Sequence, residues 1–387
     1  MSAQGRSRRE VLKSAAAVAT SVAAMGSVAS GAAEAQPVST PVVDANMHWL
    51  PEMLFSDERL LNAFLGSVPR EYGIHAKVAP IQGKQLRQIV IEQPKGYEVL
   101  NYAENQYSFK GQLEDMKKAG VDQAVFRLPC WQEWLDIETC RIVNDGLAQH
   151  VRRSPGRFAA LAVAPPWGSR ESTREVERCI KDLGFCGVQM AAHYGQLYLD
   201  DEAFRPYLRF LNGLGVPVVV HHTPLPVDFG SIIPYTNQRR QYGRVVAQAT
   251  AVGRELFSGM FEELPNLTLI HSMLGGGFFA YVDMLFPPKQ AEFRDEVDRF
   301  DARTERFRSH LSSNIYFDIS GAPQWGKAQL ECAVKVLGAR NILYGGSYPI
   351  RRDWFLQGVD YVKSLQISAD DKKLILGANA ARLFKLG

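Results

Sequence analysis

Eight short apolar runs, each followed by an amphipathic stretch, set the fold of this chain. They are Val42–Met47, Gln123–Leu128, Phe158–Val163, Cys186–Met190, Val216–His221, Leu267–His271, Ile315–Ile319 and Ile342–Tyr344. Between them lie helix-like segments such as Phe109–Ala119, Ser172–Leu183, Asp201–Leu214 and Val245–Glu263. Runs of four to eight apolar residues are the signature of strands buried on both faces. Regular β–α alternation with eight strands predicts a closed parallel (β/α)8 TIM barrel, an α/β fold, over an open sheet. The first connection, residues 49–108, is too long for a loop. It predicts an insertion after strand 1, with a helix near Leu60 and a small strand at Gln88–Ile91, lying over the catalytic face.

The N-terminal segment reads as an address. Ser7-Arg8-Arg9-Glu10-Val11-Leu12-Lys13 has the twin-arginine export pattern, and an Ala-rich stretch follows to Ala33. That stretch is too polar for a stable membrane span. Ala33-Glu34-Ala35 then offers small residues for cleavage before Gln36. The expected organisation is a leader over residues 1–35 and one barrel domain over 36–387, with a periplasmic destination. The leader carries four basic and two acidic side chains, so the formal charge falls from +3 to +1 without it. Nothing in that balance points to nucleic acid. The expected partner is a small-molecule substrate, and a homo-oligomer is left open. Cys130, Cys140, Cys179, Cys186 and Cys332 are odd in number and lack metal-motif spacing, so most read as buried free thiols.

The chemistry-bearing residues fall at strand ends, where this fold places its active sites. Asp44-Ala45-Asn46-Met47-His48 closes the first run, and Tyr344-Gly345-Gly346-Ser347-Tyr348-Pro349 closes the last. Asn46 and His48 are two apart and so face the same way. His221 ends the fifth run, beside His222, which reads as a loop hydrogen-bonder. His271 ends the sixth run, two residues before Met273, and His193 follows the fourth. Arg351 and Arg352 offer guanidinium forks to a carboxylate. Trp49, Tyr194, Tyr235 and Trp325 sit near loop ends and suit a ring-shaped ligand.

The motifs resemble the amidohydrolase-2 family, which includes the aminocarboxymuconate-semialdehyde decarboxylases. The resemblance runs through Met116–Phe126, Gly156–Pro166, Leu183–His193, Leu199–Leu208, Gly215–His222, Phe261–His271, Asn314–Gly321 and Ile375–Phe384, in order along the chain. It implies a barrel that hydrolyses or decarboxylates small, often aromatic or carboxylated substrates. It also implies metal ligands at Asn46, His48, His221 and Ser347. The family has His where Asn46 stands and Asp where Ser347 stands, and Met273 takes the place of a His ahead of the glycines. His48 and His221 are therefore the expected metal ligands, for a weakly bound zinc-like ion or none. His193 and His271 are the expected acid–base groups, and Asn46, Ser347 and Arg351 the substrate contacts.

Three readings of the site follow. A residual His48–His221 pair with a third His holds a metal, or the imidazoles work without one, or the pocket binds without turnover. The sequence favours an exported hydrolase. A decarboxylase of the same frame is the alternative, and a periplasmic ligand-binding or copper-binding protein using His271 and Met273 is the third.

Overall fold

The structure is a computed structural model and describes residues 40–287 and 303–387. The expected leader and its expected cleavage point before Gln36 lie outside these residues. Thirteen strands are present among the described residues: β1 (Val43–His48), β2 (His75–Pro80), β3 (Arg87–Glu92), β4 (Glu98–Ala103), β5 (Gln123–Arg127), β6 (Phe158–Ala162), β7 (Gly187–Ala191), β8 (His193–Tyr194), β9 (Leu197–Tyr198), β10 (Val218–His221), β11 (Leu269–His271), β12 (Ile315–Asp318) and β13 (Ile342–Leu343). Eight of them pair in the order β1-β5-β6-β7-β10-β11-β12-β13, each pair parallel. A parallel bridge between Met47 and Tyr348 and a 2.9 Å bond from Ala45 N to Tyr344 O join the last strand to the first. The chain is a (β/α)8 barrel, and the eight apolar runs are its strands.

β-branched runs such as Val218-Val219-Val220 fit strands that are covered on both sides. Val43, Ala45, Val125, Leu161, Val219, Ile270 and Leu343 pack together inside the barrel, and Ala380 and Phe384 of the C-terminal helix close its floor. This set fixes the parity of β5, β10 and β11. Residues two beyond an interior position, on β5 and β10, point into the mouth: Arg127 and His221. The helices that follow β4, β5 and β6 begin on side-chain caps. Asp136 accepts from Thr139 N at 2.7 Å and Ser169 from Ser172 N at 3.1 Å, each satisfying a donor that the helix leaves free.

The insertion after β1 holds more strand than the sequence suggested. The helix Glu58–Ser67 starts at Asp57, whose carboxylate accepts from Arg59 N and Leu60 N. Beyond it, β2, β3 and β4 form an antiparallel sheet. That sheet is tied to the barrel by three arginines from one stretch of chain. Arg239 donates to Glu98 O at 2.9 Å, Arg244 to Val99 O at 3.1 Å, and Arg240 to Asn101 Oδ1 at 2.7 Å and to the Glu98 carboxylate. No helix among the described residues is long and apolar enough to cross a membrane.

Candidate active site

The first strand supplies two side chains to the mouth because its register shifts between Asp44 and Met47. Asp44 sits below them. Its Oδ1 accepts from Asn46 N at 2.8 Å and from Gly346 N at 2.9 Å, which fixes the ends of β1 and β13 together. Its Oδ2 is buried without a partner. Burial pushes this carboxyl up to about 6.

Asn46 is the hub of a polar floor. Its amide nitrogen donates to Asp318 Oδ1 at 3.0 Å and Ser320 Oγ at 2.8 Å, and lies 3.4 Å from Ser347 Oγ. Its carbonyl accepts from Arg127 Nε at 2.8 Å. Arg127 completes the floor with an ion pair to Asp318 Oδ2 at 3.0 Å, and both side chains are 1 % exposed or less. Gly345 makes room for this cluster, since a Cβ there would lie 2.8 Å from both Asn46 Cβ and Asp318 Oδ1.

Above the floor the structure brings His48 and His221 together, Nε2 to Nε2 at 3.1 Å with the rings edge to face. His221 Nδ1 lies 3.0 Å from His222 O and 3.3 Å from Cys130 Sγ. The carbonyl can only accept, so Nδ1 carries the ring proton and Nε2 is the acceptor toward His48. Both imidazoles are buried, and burial holds each well below the ordinary histidine value, with the charge of Arg127 adding to the effect. His222 is held low for the same reason. Its ring does not bond a loop, as the sequence suggested, but packs on His221 with centroids 4.1 Å apart, and its Nδ1 has no partner. Burial pushes the Cys130 thiol upward, so it is no nucleophile at neutral pH. All five cysteines are free.

These groups form one end of a cavity of about 350 Å³, walled by Arg240, Arg244, Arg351, Met273, Ser347 and Trp354. The Arg351 guanidinium lies 3.9 Å from the Trp354 ring centre. Of the residues expected at the site, His48, His221, Ser347 and Arg351 line this cavity, and Asn46 lies in the floor beneath. Met273 reaches it because the chain after β11 runs through left-handed backbone from Met273 to Gly277. Gly276 is obligatory there, since a Cβ would lie 2.0 Å from Val245 O.

Two expected acid–base groups are placed elsewhere. His271 was expected to approach the pair. Its neighbour Ile270 faces the interior, so the ring of His271 turns outward to the helix Gly243–Phe257, bonding Gln248 Oε1 and Glu255 Oε2, each at 2.7 Å. With both nitrogens taken, it forms no copper couple with Met273. His193 lines a separate cavity with Tyr72, Trp134, Trp167 and Tyr194. Its ring contacts Gly195 O, Leu225 O and Thr223 Oγ1 at 2.7–3.0 Å. Of the four aromatics singled out, Tyr194 belongs to that cavity, Trp49 is buried, Tyr235 is exposed and Trp325 is partly buried against the core. The aromatic wall of the main cavity is Trp354.

The floor does not fit a divalent ion at the positions the family resemblance implies. Asn46 and Ser347 bring no charge, the Asn46 carbonyl is bonded to a guanidinium, and the nearest carboxylate, Asp318, is neutralised by that same group. At those positions only His48 and His221 are left as ligands, and the group among the described residues whose ligand atoms lie within 4.8 Å of one another is Cys130, His221 and His222, where burial favours the protonated thiol. The chemistry open to the site is hydrogen bonding and proton transfer by His48, His221 and His222 beneath a guanidinium wall.

Stability is expected to fall as the pH drops below about 6.5. His48, His221 and His222 are held neutral in the fold, below the ordinary value of 6.5, and burial lowers His150 to about 4. The unfolded chain therefore binds more protons in this window. Each such imidazole adds a slope of about 1.4 kcal/mol per pH unit. Asp44, raised to about 6, and Glu133 and Glu255, also raised by burial, work in the opposite direction, but they are three groups against the four imidazoles. Urea unfolding at pH 7.5, 6.5 and 5.5 checks the sign, and equal stability at all three would refute it.

The chain belongs to the Amidohydrolase family, whose model matches residues 43–386. Its relatives include the gamma-resorcylate decarboxylase of Rhizobium sp. (strain MTP-10005), 32 % identical over 65 % of this chain and 77 % of that protein. Another is the 2-amino-3-carboxymuconate-6-semialdehyde decarboxylase of Dictyostelium discoideum, 24 % identical over 71 % of this chain and 76 % of that one. Among solved structures, the dihydroxybenzoic acid decarboxylase of Polaromonas sp. JS666 with bound manganese and 2-nitroresorcinol matches 90 % of this chain and 97 % of its own, with a TM-score of 0.65 and 23 % identity. The expectation of a hydrolase is corrected by these relatives, which are named as decarboxylases.

Arg127, Asp318 and Trp354 were missed in the sequence, and His222 was noticed but placed in a loop. For the first two a signal existed. Each is a charge inside an apolar run whose neighbours demand burial on both faces, and buried charges occur in pairs.

Proposed function

We propose that this protein is a carboxy-lyase that removes CO2 from a small hydroxylated aromatic acid and does so without a divalent ion. The observation that carries the reading is the contact of His48 with His221 at the end of a cavity walled by Arg240, Arg244 and Arg351. A guanidinium fork suits the substrate carboxylate. The relation to gamma-resorcylate decarboxylase supports the substrate class.

The step needs a proton on the ring carbon that bears the carboxylate. The imidazole pair is neutral when the cavity is free. An entering anion raises the proton affinity of the buried imidazoles beside it, and the pair takes up one proton. An imidazolium N–H of His48 or His221 then protonates the ring carbon. The C–C bond breaks, its electron pair returns to the ring, and CO2 leaves. The net change is a carboxylate and one proton converted to an arene C–H and CO2, with the imidazole reprotonated from water.

The test is CO2 release from 2,6-dihydroxybenzoate and its monohydroxy analogues by protein held in EDTA. Turnover supports the reading. Binding of these acids without turnover would sink it and leave the second reading, a binding protein, which Ser347 and Met273 at the family's catalytic positions favour.

The proposal extends to location. Arg8-Arg9 ahead of an Ala-rich stretch supports twin-arginine export to the periplasm. Changing both to Lys is expected to leave the precursor in the cytoplasm, and the exported native chain is expected to begin at or near Gln36. Fractionation with N-terminal sequencing checks both, and an intact cytoplasmic chain starting at Met1 would contradict them.

A further inference from the structure

We propose that the Arg127 guanidinium is the resident cation of this barrel, standing in charge, and in its bond to Asn46, where the family fold would hold a divalent ion. The inference deepens the reading of the same site by naming what excludes the ion.

Three observations carry it. The first is bonding. Asn46 occupies a ligand position of the family, and its carbonyl oxygen, its only metal-binding atom, accepts from Arg127 Nε at 2.8 Å. The second is charge. Arg127 and Asp318 are 0 % and 1 % exposed and bonded at 3.0 Å, so the carboxylate nearest the floor already has its counter-ion. A second cation would meet a buried positive charge and two uncharged residues, Asn46 and Ser347. The third is capacity. Arg127 Nη1 is buried and has no partner, so the guanidinium is held by the floor without being fully used by it. A fully desolvated cation beneath the imidazole pair supplies the positive field that a bound ion would otherwise give.

Arg127 is not at the cavity surface. It is a positioning residue. It acts on substrate through Asn46 and the imidazoles, and its field is fixed because β5, β1 and β12 all hold it.

The experiment is Mn2+ titration of the full chain, followed by calorimetry and by the electron spin resonance signal of free Mn2+. The native protein is expected to show no saturable binding. The double variant Asn46→His with Ser347→Asp restores the family's ligands but keeps Arg127, and is expected to bind none either. Adding Arg127→Gln, which keeps hydrogen bonding and removes the charge, is expected to give a single Mn2+ per chain. Adding Arg127→Lys instead is expected to give none, and this pair separates charge from shape. Saturable Mn2+ binding by the native chain overturns the proposal, as does binding by the double variant as tight as with Arg127→Gln. Should the Gln form fail to fold, binding or its absence in the native, double and Lys proteins still decides. Turnover plays no part in the readout, so this test and the decarboxylation assay fail separately.

Discussion

Replacing Arg127 with Met is expected to destabilise the protein by about 3–5 kcal/mol, the usual cost of leaving one partner of a buried ion pair alone. The loss has a defined source. Asp318 would keep its bonds from Asn46, Ser320 N and Ser320 Oγ, but its charge would face a desolvated floor. Removing that charge as well, in Arg127→Met with Asp318→Asn, is expected to recover most of the loss, since a buried pair replaced by neutral groups is often no weaker. Urea unfolding of the native, single and double proteins measures both effects. A single variant that costs less than about 1 kcal/mol, the range of exposed pairs, would show that the two side chains are not paired in a dry floor.

The second large effect concerns turnover. Changing His221 to Ala is expected to reduce kcat by about 10²–10⁴-fold, the range for removing a positioned acid–base group. Changing His48 should cost a similar factor. Their double change should cost little more than either alone, because the two rings share one proton path at 3.1 Å. His271 is the control. Its ring is bonded to Gln248 and Glu255 away from the mouth, so His271→Ala should lower Tm while the folded fraction keeps its activity. Turnover and Tm measured on these variants decide the matter. Near-normal turnover in His48→Ala and His221→Ala would remove the imidazoles from the mechanism.

The barrel was legible because its strands are buried on both faces and therefore read as unbroken apolar runs. Leu267–His271 and Gln123–Leu128 needed no finer pattern to be found. The site was legible where it depended on position at a strand end, as for His48, His221 and Ser347. It was not legible where two distant segments had to be matched. Arg127 lies inside an apolar run, but only the fold shows that Asp318, 191 residues later, lies 3.0 Å away. His271 failed for a different reason. Counting by twos from Met273 assumed an extended chain, but the backbone has turned left-handed by Met273. The parity that holds is the one set by Ile270 inside the barrel. The insertion was placed correctly after β1, but its sheet was understated because β2 has no buried residue and carries little apolar signal.

The three arginines that fasten β4 have a consequence for how the cavity can change. Arg240 and Arg244 bind the roof strand and also form part of the chamber wall. Lifting that strand would strip partners from the same cations that would face an incoming acid. The roof is therefore fastened into the chamber wall, and the rim that carries none of these ties is the one where Ile350 and Arg351 are exposed. Selection for a new substrate would act first on that rim, since residues there can vary without disturbing the masonry of the roof.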